Sequence, residues 1–187
     1  MKRVWLLTWT TYGTWLPGDE RGFVSNVRAG DGPEIKHNVP GSPCDAKQRG
    51  LALAAREQMK GEAVWLSAVL AEPLAAQLRE TAVYRGWSLL ALAIMANHVH
   101  LVVGVPDDPE PETLLRDFKS YGSRCLNKLA GKPRSGTWWT ASGSRRKLPD
   151  ERAVQAAIRY VQNQLLPLLV WVAQNPAADA AGSPELA

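Results

Sequence analysis

His98 and His100 stand one residue apart in the apolar run Leu-Leu-Ala-Leu-Ala-Ile-Met-Ala-Asn-His-Val-His-Leu-Val-Val. The run reads as a buried strand, and strand side chains alternate faces, so both imidazoles point one way and Val99 the other. Two imidazoles on one face of a rigid strand make half of a metal site. The pair taken alone reads equally well as two satisfied polar residues. The chain has only three histidines, and the third, His37, lies in a Gly/Pro-rich stretch and reads as incidental.

A second chemical group lies in Ile158-Arg159-Tyr160-Val161-Gln162-Asn163-Gln164. Read as a helix, this segment puts Tyr160 and Gln164 on one face, beside the apolar stripe. A tyrosine oxygen can act as a nucleophile, and an amide carbonyl one turn on can complete a metal shell begun by two histidines. The competing reading is a surface tyrosine flanked by amides.

Charge points to a partner. Between Arg116 and Arg159, eleven lysines and arginines oppose three carboxylates, a local excess of eight on a chain whose net charge is +4. Such clustering suggests a polyanion, most simply nucleic acid. Arg116, Lys119, Arg124, Lys128, Arg145, Arg146 and Lys147 are the candidate phosphate contacts. Trp138 and Trp139 are candidates for stacking on unpaired bases, with core packing as the alternative for at least one of them.

The elements that must position these groups follow from pattern. Residues 3–12 read as a strand, and the polar Gly/Pro-rich segment from Asp19 to about Ser42 as a long loop. A helix is expected from about Ser42 to Lys60. A short strand or extended lead-in is expected at 64–66, and a helix from Glu72-Pro73 to about Tyr84. Strands at 87–95 and 98–103 should pair antiparallel around Ala96-Asn97. An amphipathic helix spans 112–129, and a β-element lies around Trp138-Trp139. Asp150 caps a last helix with the stripe Val154, Ala157, Ile158, Val161 and Leu165.

This order predicts an α+β fold, an antiparallel sheet backed by helices in a ferredoxin-like or RRM-like sandwich. We expect one domain over residues 1–175, an insertion at about 23–60 and a disordered tail at 176–187. Cys44 and Cys125 are too few and too distant for a disulfide framework, so the cytoplasm is the default. No apolar stretch approaches the roughly 20 residues that span a bilayer.

These pieces resemble a known family. Asn97-His98-Val99-His100-Leu101-Val102-Val103 resembles the HUH signature, and Tyr160-Val161-Gln162-Asn163-Gln164 resembles the catalytic helix of single-tyrosine transposases. Residues 12–22, Tyr-Gly-Thr-Trp-Leu-Pro-Gly-Asp-Glu-Arg-Gly, look like the N-terminal signature of REP-associated tyrosine transposases. Asp117-Phe118-Lys119-Ser120-Tyr121 looks like the helix that follows the HUH strand in that group. The resemblance covers residues 3–22 and roughly 64–166.

It implies an enzyme that cleaves and rejoins hairpin-bearing single-stranded DNA. Tyr160 would be the nucleophile, and His98, His100 and Gln164 would hold one divalent ion, Mg²⁺ or Mn²⁺. It leaves open a homodimer with an exchanged tyrosine helix, hinged at residues 140–150. Tyr121 is a rival nucleophile, but it has Cys125 where an amide ligand is needed and reads as structural or as a DNA contact. Two other readings remain: a catalytically silent, host-adopted hairpin-binding protein, and a small zinc hydrolase, which would need a third strong ligand.

Overall fold

The computed structural model describes residues 3–21, 26–28, 34–36, 47–107 and 109–174. The central element is the hairpin of β4 (Ser88–Ile94) and β5 (His98–Val105), paired antiparallel. The turn between them is tight, closed by the Met95 amide donating to the His98 carbonyl at 2.8 Å. Strand β1 (Arg3–Thr10) pairs with the other side of β5, and β6 (Ser144–Leu148) pairs with β1.

With α2 (Ala68–Tyr84) between β1 and β4, and α3 (Pro111–Ala130) between β5 and β6, these elements make the expected βαββαβ sandwich. Its strand order is β6-β1-β5-β4, and β7 (Leu169–Val172) adds a fifth strand beside β4. The insertion contributes a ribbon of β2 (Asn26–Arg28) and β3 (Glu34–Lys36), followed by α1 (Arg49–Glu57). No described helix is long and apolar enough to cross a membrane.

The sheet is covered on both faces, and β1 and β5 divide their side chains accordingly. Leu7, Trp9, Val99, Leu101 and Val103 meet α2 and α3 in the larger core. Val4, Leu90, Val102 and Leu148 meet α4 (Glu151–Gln162) in the smaller one. Phe118 of α3 is fully buried and lies 5.4 Å, centroid to centroid, from Trp87. Phe118→Ala should therefore cost about 3–5 kcal/mol in urea unfolding, the usual penalty for emptying a packed aromatic site.

Several boundaries differ from those expected, each for a physical reason. Helix α2 begins one turn earlier, where the Ser67 carbonyl accepts the Leu70 and Ala71 amides, and runs through Pro73. The proline sits sixth in the helix, past its first turn, and forfeits one backbone bond there. The segment 64–66 is extended without being a strand: Val64 donates to the Tyr12 carbonyl and Leu66 to that of Ala96. Helix α1 is shorter than the expected 42–60; residues 42–46 lie outside the described set, as does the tail at 176–187.

The last helix stops at Gln162, so Leu165 does not join its core stripe and is 86% exposed. Pro167 disfavours helical backbone at the residue before it. Leu166 turns instead with φ 53°, and the Leu168 amide then bonds to the Ile94 carbonyl to start β7. Trp138-Trp139 contributes only an isolated bridge, Trp139 to Thr11, and the strand itself lies at 144–148.

Candidate active site

β5 projects His98 and His100 onto the α4 side of the sheet. Their rings sit 4.6 Å apart, centroid to centroid, at 80°. Each has its Nδ1 engaged: His98 with the Asn97 side-chain oxygen at 2.6 Å, and His100 with Thr8 Oγ1 at 2.7 Å. Thr8 is the direct cross-strand neighbour of His100 on β1. If each Nδ1 carries its proton, Nε2 keeps its lone pair for a ligand, the usual support behind metal-binding histidines.

Both imidazoles favour the neutral form. Burial, followed by the neighbouring His98, pushes His100 down to about 4. Burial, followed by the nearby Arg21 charge, lowers His98. A buried neutral His100 makes folding acid-sensitive. Its stabilisation is complete above the unfolded value near 6.5 and is lost as pH falls toward about 4. The unfolding free energy from urea titrations in EDTA should fall between pH 7.5 and 4.5 by an amount on the order of 2 kcal/mol, and His100→Asn should flatten that dependence.

α4 supplies the third group. Asp150 caps it, accepting the Ala153 amide at 2.8 Å, and Val154, Ala157, Ile158 and Val161 bury one stripe. Tyr160 falls beside that stripe and is 51% exposed. Its hydroxyl lies 3.5 Å from His100 Nε2, with ring centroids 5.2 Å apart. Residues 92 and 60 positions from His100 thus meet at its two ring nitrogens. Strand β1, strand β5 and helix α4 of the one chain supply these three groups.

Gln164 lies just past the helix end and lines, with His98 and Tyr160, an open cleft of about 550 Å³. Its Nε2 donates to the Tyr160 carbonyl at 2.8 Å, which leaves Oε1 as the atom free to bind a cation. The groups here that could hold a cation are two imidazoles and an amide oxygen. Among the described residues no group of three or more His, Cys, Asp or Glu side chains could hold a metal, so the third strong ligand that a zinc hydrolase needs is not found there.

The basic candidates separate between the two faces. Register puts Ser144, Arg146 and Leu148 of β6 on the side of His98 and His100, opposite Thr8, Leu6 and Val4. Arg146 lines a second cavity, of about 350 Å³, with Thr8 and Tyr160. Arg145 points away and pairs with Glu112 of α3 at 3.0 Å, while Lys147 lies 5.7 Å over the Trp5 ring. On α3, Arg124 stacks on Tyr121 and, with Lys128, lines a pocket between α2 and α3, and Arg116 is exposed beside Asp117.

Lys119 is not a free phosphate contact. Its half-buried ammonium donates to the carbonyls of Thr140, Ala141 and Ser142, and partial burial lowers it to about 8. Trp138 and Trp139 are likewise unsuited to stacking on bases. Both are about 95% buried; their indoles donate to Asn127 and to the Lys119 carbonyl, and Trp139 packs edge-on against Trp9. Core packing is what both residues do. Tyr121, on the face opposite the histidines, packs against Tyr84 and Arg124, which removes it as a rival nucleophile at this site.

Two neighbours, Thr8 and Arg159, escaped the sequence reading as site residues, and Arg21 closes a loop, Thr14 to Arg21, that the sequence already offered as an approach to DNA. Thr8 could be found only once the β1–β5 pairing was known. Arg159 shares the cleft with Tyr160 and looks like any surface arginine in sequence. Arg21 holds Asp19 through two contacts of 2.8 and 2.7 Å and also donates to the Thr14 carbonyl. Thr14 in turn reaches the Asn97 carbonyl, so the 12–21 segment is tied to the start of the histidine strand.

The family model for IS200-like transposases matches residues 58–164, a span that contains His98, His100, Tyr160 and Gln164. No curated protein gives a match. Among solved structures, one similar chain is a candidate transposase from Deinococcus radiodurans R1, at 18% identity and TM-score 0.46, covering 89% of this chain and 93% of that one. Another is a REP-associated tyrosine transposase bound to a REP hairpin, at 12% identity and TM-score 0.44, covering 86% of this chain and 66% of that one. The family match extends over more than half of the sequence and over every element that carries the histidines and the tyrosine. The chain belongs to the IS200-like transposase family.

Proposed function

We propose that this protein cuts and rejoins hairpin-bearing single-stranded DNA, with Tyr160 as nucleophile. The observation that carries the reading is the 3.5 Å separation between the Tyr160 hydroxyl and His100 Nε2. A phenol has no structural need to sit over a buried, neutral imidazole with a free lone pair. It has a chemical one if both groups address the same phosphodiester.

His98, His100 and the Gln164 carbonyl would hold one divalent cation. Imidazole donors favour Mn²⁺ over Mg²⁺ by softness. When bound, the ion supplies Lewis-acid polarisation of the scissile phosphate. The Tyr160 oxygen attacks phosphorus, the bond to the 3′ oxygen breaks, and that oxygen leaves as a 3′ hydroxyl after taking a proton. The product is a 5′-phosphotyrosine, which stores the bond energy so that another 3′ hydroxyl can reverse the step and join a new strand.

Tyrosine ionises near ~10, and cations near the phenol would favour the phenolate. Arg146 and Arg159, in the two cavities beside Tyr160, are placed for that role or for the phosphates on either side. Thr8 and Asn97 hold the imidazole orientations.

The test is incubation with a single-stranded hairpin oligonucleotide and Mn²⁺, followed by denaturing electrophoresis. A protein–DNA adduct should form with wild type and with Tyr121→Phe, and should vanish in EDTA. Hairpin binding with no adduct under any divalent ion would favour the silent, host-adopted binding protein instead.

A further inference from the structure

Helix α1 belongs to the insertion and has no buried residue, so packing into the core does not explain its position. It is held at its ends. The Gln48 amide donates to the Gly18 carbonyl at 3.2 Å, and the Lys60 amide donates to the Tyr12 hydroxyl at 2.7 Å. At Gly18, whose φ is +85°, a Cβ would lie 2.4 Å from the Gln48 carbonyl, so the contact requires glycine. The helix stands as one wall of an open cavity of about 670 Å³, with the 13–21 loop opposite.

The lining is that of a nucleic-acid groove. Arg49 and Arg56, seven residues apart and hence on one face of α1, line it and are exposed. The two carboxylates present are already matched, Asp19 by Arg21 and Glu20 by Lys47 at 3.5 Å. Arg49 and Arg56 have no ion-pair partner among the described residues. Trp65, 60% exposed, lines the same cavity, and Trp15, 39% exposed, lies 4.9 Å under the Arg21 guanidinium at its edge. Uncompensated arginines beside solvent-facing indoles suit a single strand, whose phosphates and unpaired bases meet both. The groove is tied to the start of the histidine strand, since its Thr14 donates to the carbonyl of Asn97, the residue before His98.

We infer that this groove, walled by α1, is the track along which single-stranded DNA reaches His98 and Tyr160, with Trp65 as base-stacking platform and Arg49 and Arg56 as phosphate contacts. The inference rests on the proposed substrate class and gives the insertion helix a function.

Binding of fluorescein-labelled dT20, followed by anisotropy in EDTA at several salt concentrations, tests it without any cleavage. Trp65→Ala should weaken binding about 5- to 100-fold and Trp65→Phe much less. Arg49→Ala combined with Arg56→Ala should reduce the slope of log K against log salt by about 1.4, two single-strand phosphates. A dT20·dA20 duplex should bind less tightly than dT20 and be indifferent to Trp65. The inference is overturned if these variants bind dT20 as wild type does. It is also overturned if the charge-matched pair Arg124→Ala and Lys128→Ala takes the whole loss, or if duplex shares the Trp65 dependence. Should wild type form no adduct with a hairpin and Mn²⁺ while the groove variants still lose dT20 affinity, the cleavage reading fails and the groove stands.

Discussion

Tyr160→Phe is expected to reduce covalent adduct formation on a hairpin oligonucleotide by roughly 10⁴-fold or more, to background. The substitution removes one oxygen from a half-exposed side chain whose ring lies beside His100, so the helix and its packing should persist. Its apolar neighbours Val154, Ala157, Ile158 and Val161 are untouched. Affinity for the same oligonucleotide in EDTA should stay within about twofold of wild type, because the phenol contributes to bond making and little to holding DNA. Single-turnover gels give the rate and anisotropy gives the affinity. A variant that cleaves at an undiminished rate would assign the nucleophile elsewhere.

The second large effect is expected at the histidines. His98→Ala combined with His100→Ala removes both nitrogen donors from a set with no carboxylate to replace them, among the described residues. Mn²⁺ affinity, read by calorimetry or by the loss of free-ion paramagnetic signal, should fall beyond detection, and adduct formation with it. Thr8→Val, which keeps the side-chain shape but removes the partner of His100 Nδ1, should cost about 10- to 100-fold in Mn²⁺ affinity. If the double variant retained Mn²⁺-dependent cleavage, the imidazoles would be polar residues satisfied by Thr8 and Asn97 and nothing more.

How much of this was legible in the sequence depends on whether the deciding interaction is local. The 89–103 run shows a hairpin because both strands are buried and their turn is short. Period two then puts both histidines on one face without knowledge of any partner strand. The α4 stripe is equally local, and it places Tyr160 beside the core. The sequence reading carried that helix to Leu165, where Pro167 in fact makes the chain turn. β7 is created by pairing to β4, 75 or more residues away, and its four residues carry no pattern strong enough to announce it.

The basic block shows why charge alone sorts poorly. Arg145, Arg146 and Lys147 look equivalent as consecutive residues, yet β6 alternates them, so only Arg146 faces Tyr160. Lys119 and the pair Trp138-Trp139 look like DNA contacts by type, but the tertiary fold buries both indoles and engages the half-buried ammonium with carbonyls of the 140–142 segment. Burial of a cation or an indole is decided by what packs over it, and those partners lie about 20 residues off or on another strand.

The most direct measurement is peptide mapping of the covalent adduct. After nuclease trimming and trypsin digestion, mass spectrometry should find the residual nucleotide on the peptide that begins at Tyr160, which contains no other tyrosine. The same label on the Ser120–Arg124 peptide, which carries Tyr121, would contradict the account.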